Sequence, residues 1–254
     1  DYMSKGYVPL REQYDNSVSH ALEYYIADFA LSRFAEALGK KKDAEMFYKR
    51  SLGYKHYYSK EFGTFRPILP DGTFYSPFNP RHGENFEPNP GFHEGSAWNY
   101  SFYVPHDVYG LAKLMGGKNP FIKKLQMVFD EGLYDPANEP DIAYAHLFSY
   151  FRGEEWRTQK ETQRLLDKYF TTKPNGIPGN DDTGTMSAWA IFNMIGFYPD
   201  CPGLPEYTLT TPVFNKVTIR LDPKWYKEKE LVIESNRTQP GTLYINKVLL
   251  NGKK

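Results

Sequence analysis

"DNSVSHALEYYIADFALSRFAEALGK", residues 15–40, decides the architecture of this chain. Val18, Leu22, Tyr25, Ile26, Phe29, Phe34 and Leu38 recur at helical spacing along it. Asp15, Asn16 and Ser17 offer N-cap oxygens, and Gly39 supplies a stop. The next stretch, "KKDAEMFYKRSLGYKHYYSK" at 41–60, repeats the pattern with Ala44, Phe47, Ser51, Tyr54 and Tyr58 on one face. A link this short between two helices makes an antiparallel hairpin. The spacing therefore predicts a fold built from helical hairpins.

Outward from the hairpin, residues 60–93 carry Pro, Gly and Asn without periodicity. A long aperiodic loop in a compact domain is usually functional, and its many aromatics argue against disorder. Helical signals return at 95–117, around Pro105, then at 119–131, 139–151, 154–170 and 183–196. From about 206 the period shortens to two: Val217, Ile219 and Leu221 alternate, and "KELVIES" and "GTLYINKVLLNG" follow. The expected fold class is mainly α, an array of helical hairpins followed by a short C-terminal antiparallel β segment. The expected division is a helical catalytic domain at 1–205 and a β segment at 206–254.

Composition limits the partners. Thirty-one Lys and Arg balance thirty-one Asp and Glu, so no field attracts nucleic acid or an anionic membrane. One cysteine, Cys201, excludes an internal disulfide framework and a zinc site of several thiolates. No apolar run reaches the ~20 residues that span a bilayer. Aromatic residues make up 17% of the chain, with 21 tyrosines. Tyr and Trp present an apolar face with a polar edge, which suits the C–H patches and hydroxyls of sugars. A large aromatic core explains the same count.

Three acidic clusters lie in or beside loops that join helices. In "PGNDDTGTMSAW", 178–189, Asp182 precedes a helix expected over 183–195, whose N-terminus keeps a carboxylate ionised and able to act as a base. An ordinary N-cap needs only one aspartate, and here Asp181 stands beside Asp182. In "DPANEPDIAY", Asn138 and Glu139 offer hard oxygens. With Asp181 they suit Ca²⁺, although helix capping explains "NEPD" as well. In "GFHEGSAWNY", Glu94 lies four residues before Trp98. Were that segment helical, the indole would cover the carboxyl and favour the protonated form a general acid needs. The plainer reading is a surface glutamate. His106 of "VPHD" is a candidate lining residue or, more simply, a packed ring beside a capping Asp107. An acid and a base on separate loops with a calcium site between them fit glycoside hydrolysis. Inverting enzymes hold the two carboxyls roughly 6.5–9.5 Å apart to admit a water.

"EGSAWNYSFYVPHDVYGL", "NEPD" and "PGNDDTGTMSAWAIFNMIGFYPDCPG" together resemble the calcium-dependent exo-α-mannosidases of glycoside hydrolase family 92. "SKGYVP" and "SVSHALEYYIADF" are similar to that family too, so the resemblance runs over most of the chain. It implies an (α/α)6 helical barrel, here in part, and an inverting release of terminal α-linked mannose from glycans. It places Glu94 as general acid and Asp182 as the base that activates water. Asn138, Glu139 and Asp181 fall around the calcium, which in the family engages the 2- and 3-hydroxyls of the mannose and helps distort its ring. Trp98, His106 and Asn180 are candidate sugar contacts. Asn180 stands where some members carry an acid and Thr185 where glutamine is common, and Ser96 and Asn99 depart from the usual acid loop. These departures bear on linkage preference and rate. Family members are much longer, with an N-terminal β-sandwich and the rest of the barrel. The expectation is therefore a fragment of a periplasmic or secreted enzyme, with the activity of the isolated chain left open. Two other readings compete: a glycan-binding relative without turnover, and a helical scaffold for a protein partner.

Overall fold

The chain starts with a short helix α1 (Tyr2–Lys5) and the hairpin α2 (Ser17–Ala37) and α3 (Lys41–Ser51). The computed structural model describes residues 1–254 apart from 13–14, 84–88, 238, 240 and 254, so 84–88 of the long loop lie outside the described residues. The chain divides into two units, Asp1–Leu147 with Asp200–Glu206, and Phe148–Pro199 with Tyr207–Lys254.

In the first unit α2 and α3 pack along each other, as the short link requires. Val18, Leu22, Tyr25, Ile26 and Phe29 are buried, but Phe34 and Leu38 are 62% and 58% exposed. Helical geometry explains the difference. At about 100° per residue, Phe34 lies ~140° and Leu38 ~180° around the axis from Phe29. Their places on the buried face go to Ser32 and Ala35. Buried Asp28 anchors α1: it accepts from the Tyr2 hydroxyl at 2.6 Å and pairs with Arg50 of α3 through both carboxylate oxygens.

The second helix was expected to reach residue 60 but stops at Ser51, where the chain tightens into a 3₁₀ turn, Leu52–Tyr57. Gly53 sets the break. A Cβ there would lie 2.4 Å from Tyr25 Cε1 and 2.6 Å from the Gly6 carbonyl oxygen. The close approach lets the Tyr25 hydroxyl donate to Gly6 O at 2.6 Å and buries Tyr54 and Tyr57 completely.

A two-residue hairpin follows, β1 (Tyr58–Ser59) against β2 (Thr64–Phe65). The loop beyond it is organised around buried Arg66. Its guanidinium lies 5.0 Å from the ring centre of Phe62 and 5.6 Å from those of Phe74 and Phe78. Its Nε donates to Tyr75 O at 2.7 Å.

The expected helix over 95–117 is broken. α4 (Ala97–Tyr100) is one turn, Pro105 opens a 3₁₀ turn Pro105–Asp107, and α5 is Val108–Leu114, capped by Asp107. α6 (Lys118–Asp130) agrees with its sequence pattern. The stretch 139–151 forms 3₁₀ turns at Glu139–Asp141 and Tyr144–Tyr150 rather than an α-helix. Tyr144 ties these pieces together, accepting from Phe102 N at 3.0 Å and donating to Trp98 O at 2.9 Å.

The second unit holds α7 (Glu155–Tyr169) and α8 (Thr185–Ile195), with Phe170 stacked on Trp189 at 5.4 Å. β3 (Phe197–Tyr198) pairs antiparallel with β4 (Thr208–Leu209), and β5 (Lys216–Arg220) with β6 (Glu230–Glu234). Among the described residues the expected last strand, 241–252, joins no ladder beyond one isolated bridge, Leu250 to Lys253. Side chains hold it instead: Ile245 N donates to Gln159 Oε1 at 3.0 Å and Thr211 Oγ1 to Leu243 O at 2.6 Å. The fold is mainly helical with short antiparallel strand pairs, as the sequence pattern predicts.

Candidate functional site

Glu94 sits on a loop fastened from several sides. Its backbone is left-handed, φ 50°, and its side chain is exposed. His93 before it donates its N–H to Ser19 Oγ at 2.9 Å, and its carbonyl accepts from the Tyr100 hydroxyl at 2.6 Å. The carbonyl of Glu94 accepts from Asn138 Nδ2 at 2.7 Å, and that of Gly95 from Asn89 Nδ2 at 3.2 Å. The carboxylate lies 3.7 Å from His93 Nε2.

Helix α4 starts after this loop. Ser96 caps it, accepting from Trp98 N at 3.3 Å, while Asn99 Oδ1 receives Ser96 N at 2.8 Å. The expectation that a helix through Glu94 lays the Trp98 indole over its carboxylate is therefore corrected. Ser96 ends the helix two residues short of Glu94, and the left-handed turn breaks the i to i+4 relation. Trp98 itself is buried.

Asn138 is buried and brought against the Glu94 loop, with Glu139 half-buried next to it. Behind them Asp141 is fully buried. Burial pushes its carboxyl well above the usual range, opposed by N–H bonds from Asp135 and the Asn99 amide. Sequence reasoning missed Asn99 as a partner of this turn. It also missed Glu23 of α2, which accepts from the Tyr103 hydroxyl at 2.9 Å. Burial raises the Tyr103 hydroxyl, and the charges of Glu23 and Glu139 raise it further. Burial raises Tyr100 as well, with contributions from the charges of Asp141, Glu23 and Glu94. Only the tyrosine-rich composition hinted at hydroxyls beside these carboxylates.

His106 belongs to packing. Its ring lies 5.5 Å from Phe29 and 5.9 Å from Tyr54, and its Nε2 is bonded to Ser51 O at 2.9 Å. Burial lowers its pKa to about 4. The simpler of the two readings fits this ring, and it is not carried further as a sugar contact.

In the second unit the adjacent aspartates do different jobs. Asp181 holds the first turn of α8: Oδ1 accepts Ser187 N at 2.8 Å and Oδ2 accepts Ser187 Oγ at 2.7 Å. Those two bonds, the hydroxyl's first, hold its carboxyl below the usual range. The helix starts at Thr185, so Asp182 is not the residue at its N-terminus as the sequence suggested. A 3₁₀ turn, Asp182–Gly184, intervenes, with φ 28° at Asp182, 55° at Thr183 and 86° at Gly184. Asp182 and Asn180 are exposed to solvent.

The donor chemistry suits a hard cation. Asn138 uses its Nδ2 on Glu94 O, which leaves Oδ1 as the ligating end, and each Asp181 oxygen keeps a lone pair. Among the described residues no three or more His, Cys, Asp or Glu side chains gather closely enough to hold a metal ion.

Similarity to known proteins is extensive. A family 92 α-mannosidase from Bacteroides thetaiotaomicron, solved with mannoimidazole, superposes with TM-score 0.90 at 31% identity, covering 99% of this chain and 35% of that one. A second structure from that organism, described as a family 92 inverting mannosidase, gives TM-score 0.87 at 32% identity over 99% of this chain and 36% of that one. A fungal protein from Arthroderma benhamiae, described as an uncharacterized secreted glycosidase, is 26% identical over 278 residues, covering 99% of this chain and 35% of the relative. The chain thus spans about a third of the length of these relatives. The description "Glycosyl hydrolase family 92 catalytic domain" matches residues 1–254, and the chain belongs to that family.

Proposed function

We propose that this chain carries the acid and base of a calcium-dependent α-mannosidase that removes terminal mannose from glycans with inversion. One observation carries the assignment of roles. Among the described residues only Glu94, Asp182, Thr183 and Asn251 hold positive φ without being glycine. Such conformations cost of order 1–3 kcal/mol each and concentrate at active sites. Two of the four are the carboxylates singled out as acid and base. They lie on separate loops, in the first and the second unit.

In this reading Glu94, in its protonated form, gives its proton to the departing glycosidic oxygen. Asp182 takes a proton from the water that attacks the opposite face of the sugar. Asn138, Glu139 and Asp181 would hold the calcium, which when bound would supply Lewis-acid polarisation of sugar hydroxyls. Trp98 and Asn180 are assigned to sugar contact. Residues 1–205 form the catalytic domain and 206–254 an accessory β segment. The secreted description of the fungal relative supports a periplasmic or extracellular place, where mannose-bearing glycans are met.

Proton NMR of an α-mannobioside digest is the test. The reading expects β-mannose as first product, loss of release with EDTA, return with Ca²⁺, and no release by Glu94→Gln. First-formed α-mannose, or release indifferent to chelator, refutes it. Sugar binding with no turnover favours the glycan-binding alternative.

A further inference from the structure

The loop that carries Glu94 and the turn that carries Asn138 and Glu139 are joined by a buried polar pair. Asn99 Nδ2 donates to Asp141 Oδ2 at 2.8 Å and to Leu133 O at 3.1 Å. Its Oδ1 accepts both Ser96 N, at 2.8 Å, and Ser96 Oγ, at 2.9 Å. One amide thus closes the end of the Glu94 loop and reaches across 42 residues of sequence to the turn. From the other side, Asp141 Oδ2 also takes Asp135 N at 2.6 Å, and Asp141 N donates to Asn138 O at 3.1 Å. Asn138 then returns to the start of the circuit, its Nδ2 on Glu94 O at 2.7 Å.

Both members are nearly or wholly shielded: Asn99 is 5% exposed and Asp141 0%. Among the described residues Asp141 Oδ1 has no hydrogen-bond partner, and the connection to Asn99 runs through Oδ2. A buried carboxylate with one oxygen unmatched is costly. Ser96 and Asn99 together form the capping box of α4 through Asn99 Oδ1, and the bond from Asn99 Nδ2 to Asp141 lies outside that box. We infer that Asn99 and Asp141 are positioning residues, a buried pin that fixes the Glu94 loop and the Asn138–Glu139 turn to each other. The inference rests on the reading of Glu94 as general acid. Outer-shell partners of this kind typically change affinity or activity by 10–100-fold.

The pin predicts reciprocal effects, which a merely local structural role does not. Asn99→Ala should speed amide exchange at Asp135, whose N–H is bonded to Asp141. Asp141→Ala should speed it at Ser96, whose N–H is bonded to Asn99. Each change should be about tenfold or more by NMR. Asp141→Asn keeps an oxygen in the place of Oδ2 to receive the Asn99 and Asp135 N–H groups, so exchange at both positions should stay slower than in Asp141→Ala. Exchange that rises only beside the substituted residue overturns the pin, as does Asp141→Asn matching Asp141→Ala. Should Asp141→Ala fail to fold, Asn99→Ala read at Asp135 decides alone.

Hydrolysis separates failure of the pin from failure of the reading. A displaced acid slows substrates with poor leaving groups and spares activated ones. Asn99→Ala should therefore lose about 10–100-fold more kcat on an alkyl α-mannoside than on the 2,4-dinitrophenyl mannoside. An equal loss on both, with Glu94→Gln still showing the selective loss, overturns the pin and leaves the acid in place. A Glu94→Gln enzyme that keeps its alkyl mannosidase activity removes the acid itself, and the pin's catalytic role with it.

Discussion

Ser187 grips Asp181 with both of its donors, the N–H on Oδ1 at 2.8 Å and the hydroxyl on Oδ2 at 2.7 Å. One aspartate of the pair is thus committed to the start of α8, while its neighbour turns out on a left-handed backbone. The grip also lowers the affinity of Asp181 for protons. Removing the hydroxyl with Ser187→Ala should raise the titration midpoint of that carboxyl, seen by ¹³C NMR of labelled aspartate. If Asp181 is a calcium donor, the same variant should weaken calcium binding about tenfold in calorimetry, as loss of an outer-shell partner does. The sign for stability follows from the depressed folded-state pKa. The contribution is present above the ordinary carboxylate pKa and disappears as pH falls through the folded value.

A left-handed glutamate is a stability cost that a purely structural residue has no reason to keep. Glu94→Gly should leave the fold as stable or raise it by up to about 1 kcal/mol in urea, because glycine meets φ 50° without strain. The same substitution should cut mannoside hydrolysis by about 10²–10⁴-fold if the carboxyl is the acid. A variant that gains stability while losing turnover marks strain kept for function. A variant that loses stability places the side chain in the structural framework instead.

The helical hairpin, the loop rich in aromatics and the three acidic clusters were legible because each leaves a local pattern. Periodicity gave α2, α6, α7 and α8 within a few residues, and of α3 only the start. It misplaced Phe34 and Leu38 because a run of apolar residues was counted without following the angle around the axis. It continued the helix past Ser51 because the steric demand at Gly53 comes from Tyr25 and Gly6, both distant in sequence. The same limit hid the second partner of each site residue. Nothing near "NEPD" announces that Asn99 bonds Asp141, and nothing near "DD" distinguishes the capping Asp181 from the exposed Asp182. Long-range hydrogen bonds carry no sequence period, so residues that position others stayed silent while those at helix starts spoke.

His106 gives the fold a pH dependence of its own. Burial between Phe29 and Tyr54 holds its pKa at about 4, with the charge of Asp107 opposing and that of Lys55 assisting. The unfolded chain has an ordinary histidine near 6.5 and binds the proton first. Stability from the neutral ring is therefore complete above about pH 6.5 and drains away as pH falls toward about 4. The full effect is up to about 3 kcal/mol. Melting curves of wild type and His106→Gln between pH 7 and 4 should converge as the acid end is approached. Parallel curves would mean that the ring titrates normally in the folded chain.

Gly53 offers the most direct test of the packing that seats the hairpin. A methyl there meets Tyr25 Cε1 at 2.4 Å and the Gly6 carbonyl oxygen at 2.6 Å, and the second neighbour is backbone that has no rotamer to change. Gly53→Ala should therefore cost about 1–3 kcal/mol in urea unfolding, against the small gain an alanine brings in an open helix. The strain should appear first in the bond from the Tyr25 hydroxyl to Gly6 O, now 2.6 Å. Tyr25→Phe removes that bond but leaves the ring in place, so the double variant should lose less than the sum of the two single changes, the ~1 kcal/mol of that hydrogen bond being lost already in Gly53→Ala. A larger, additive loss would place the clash on the ring itself, and with it the reason why the helix gives way to a 3₁₀ turn at Leu52.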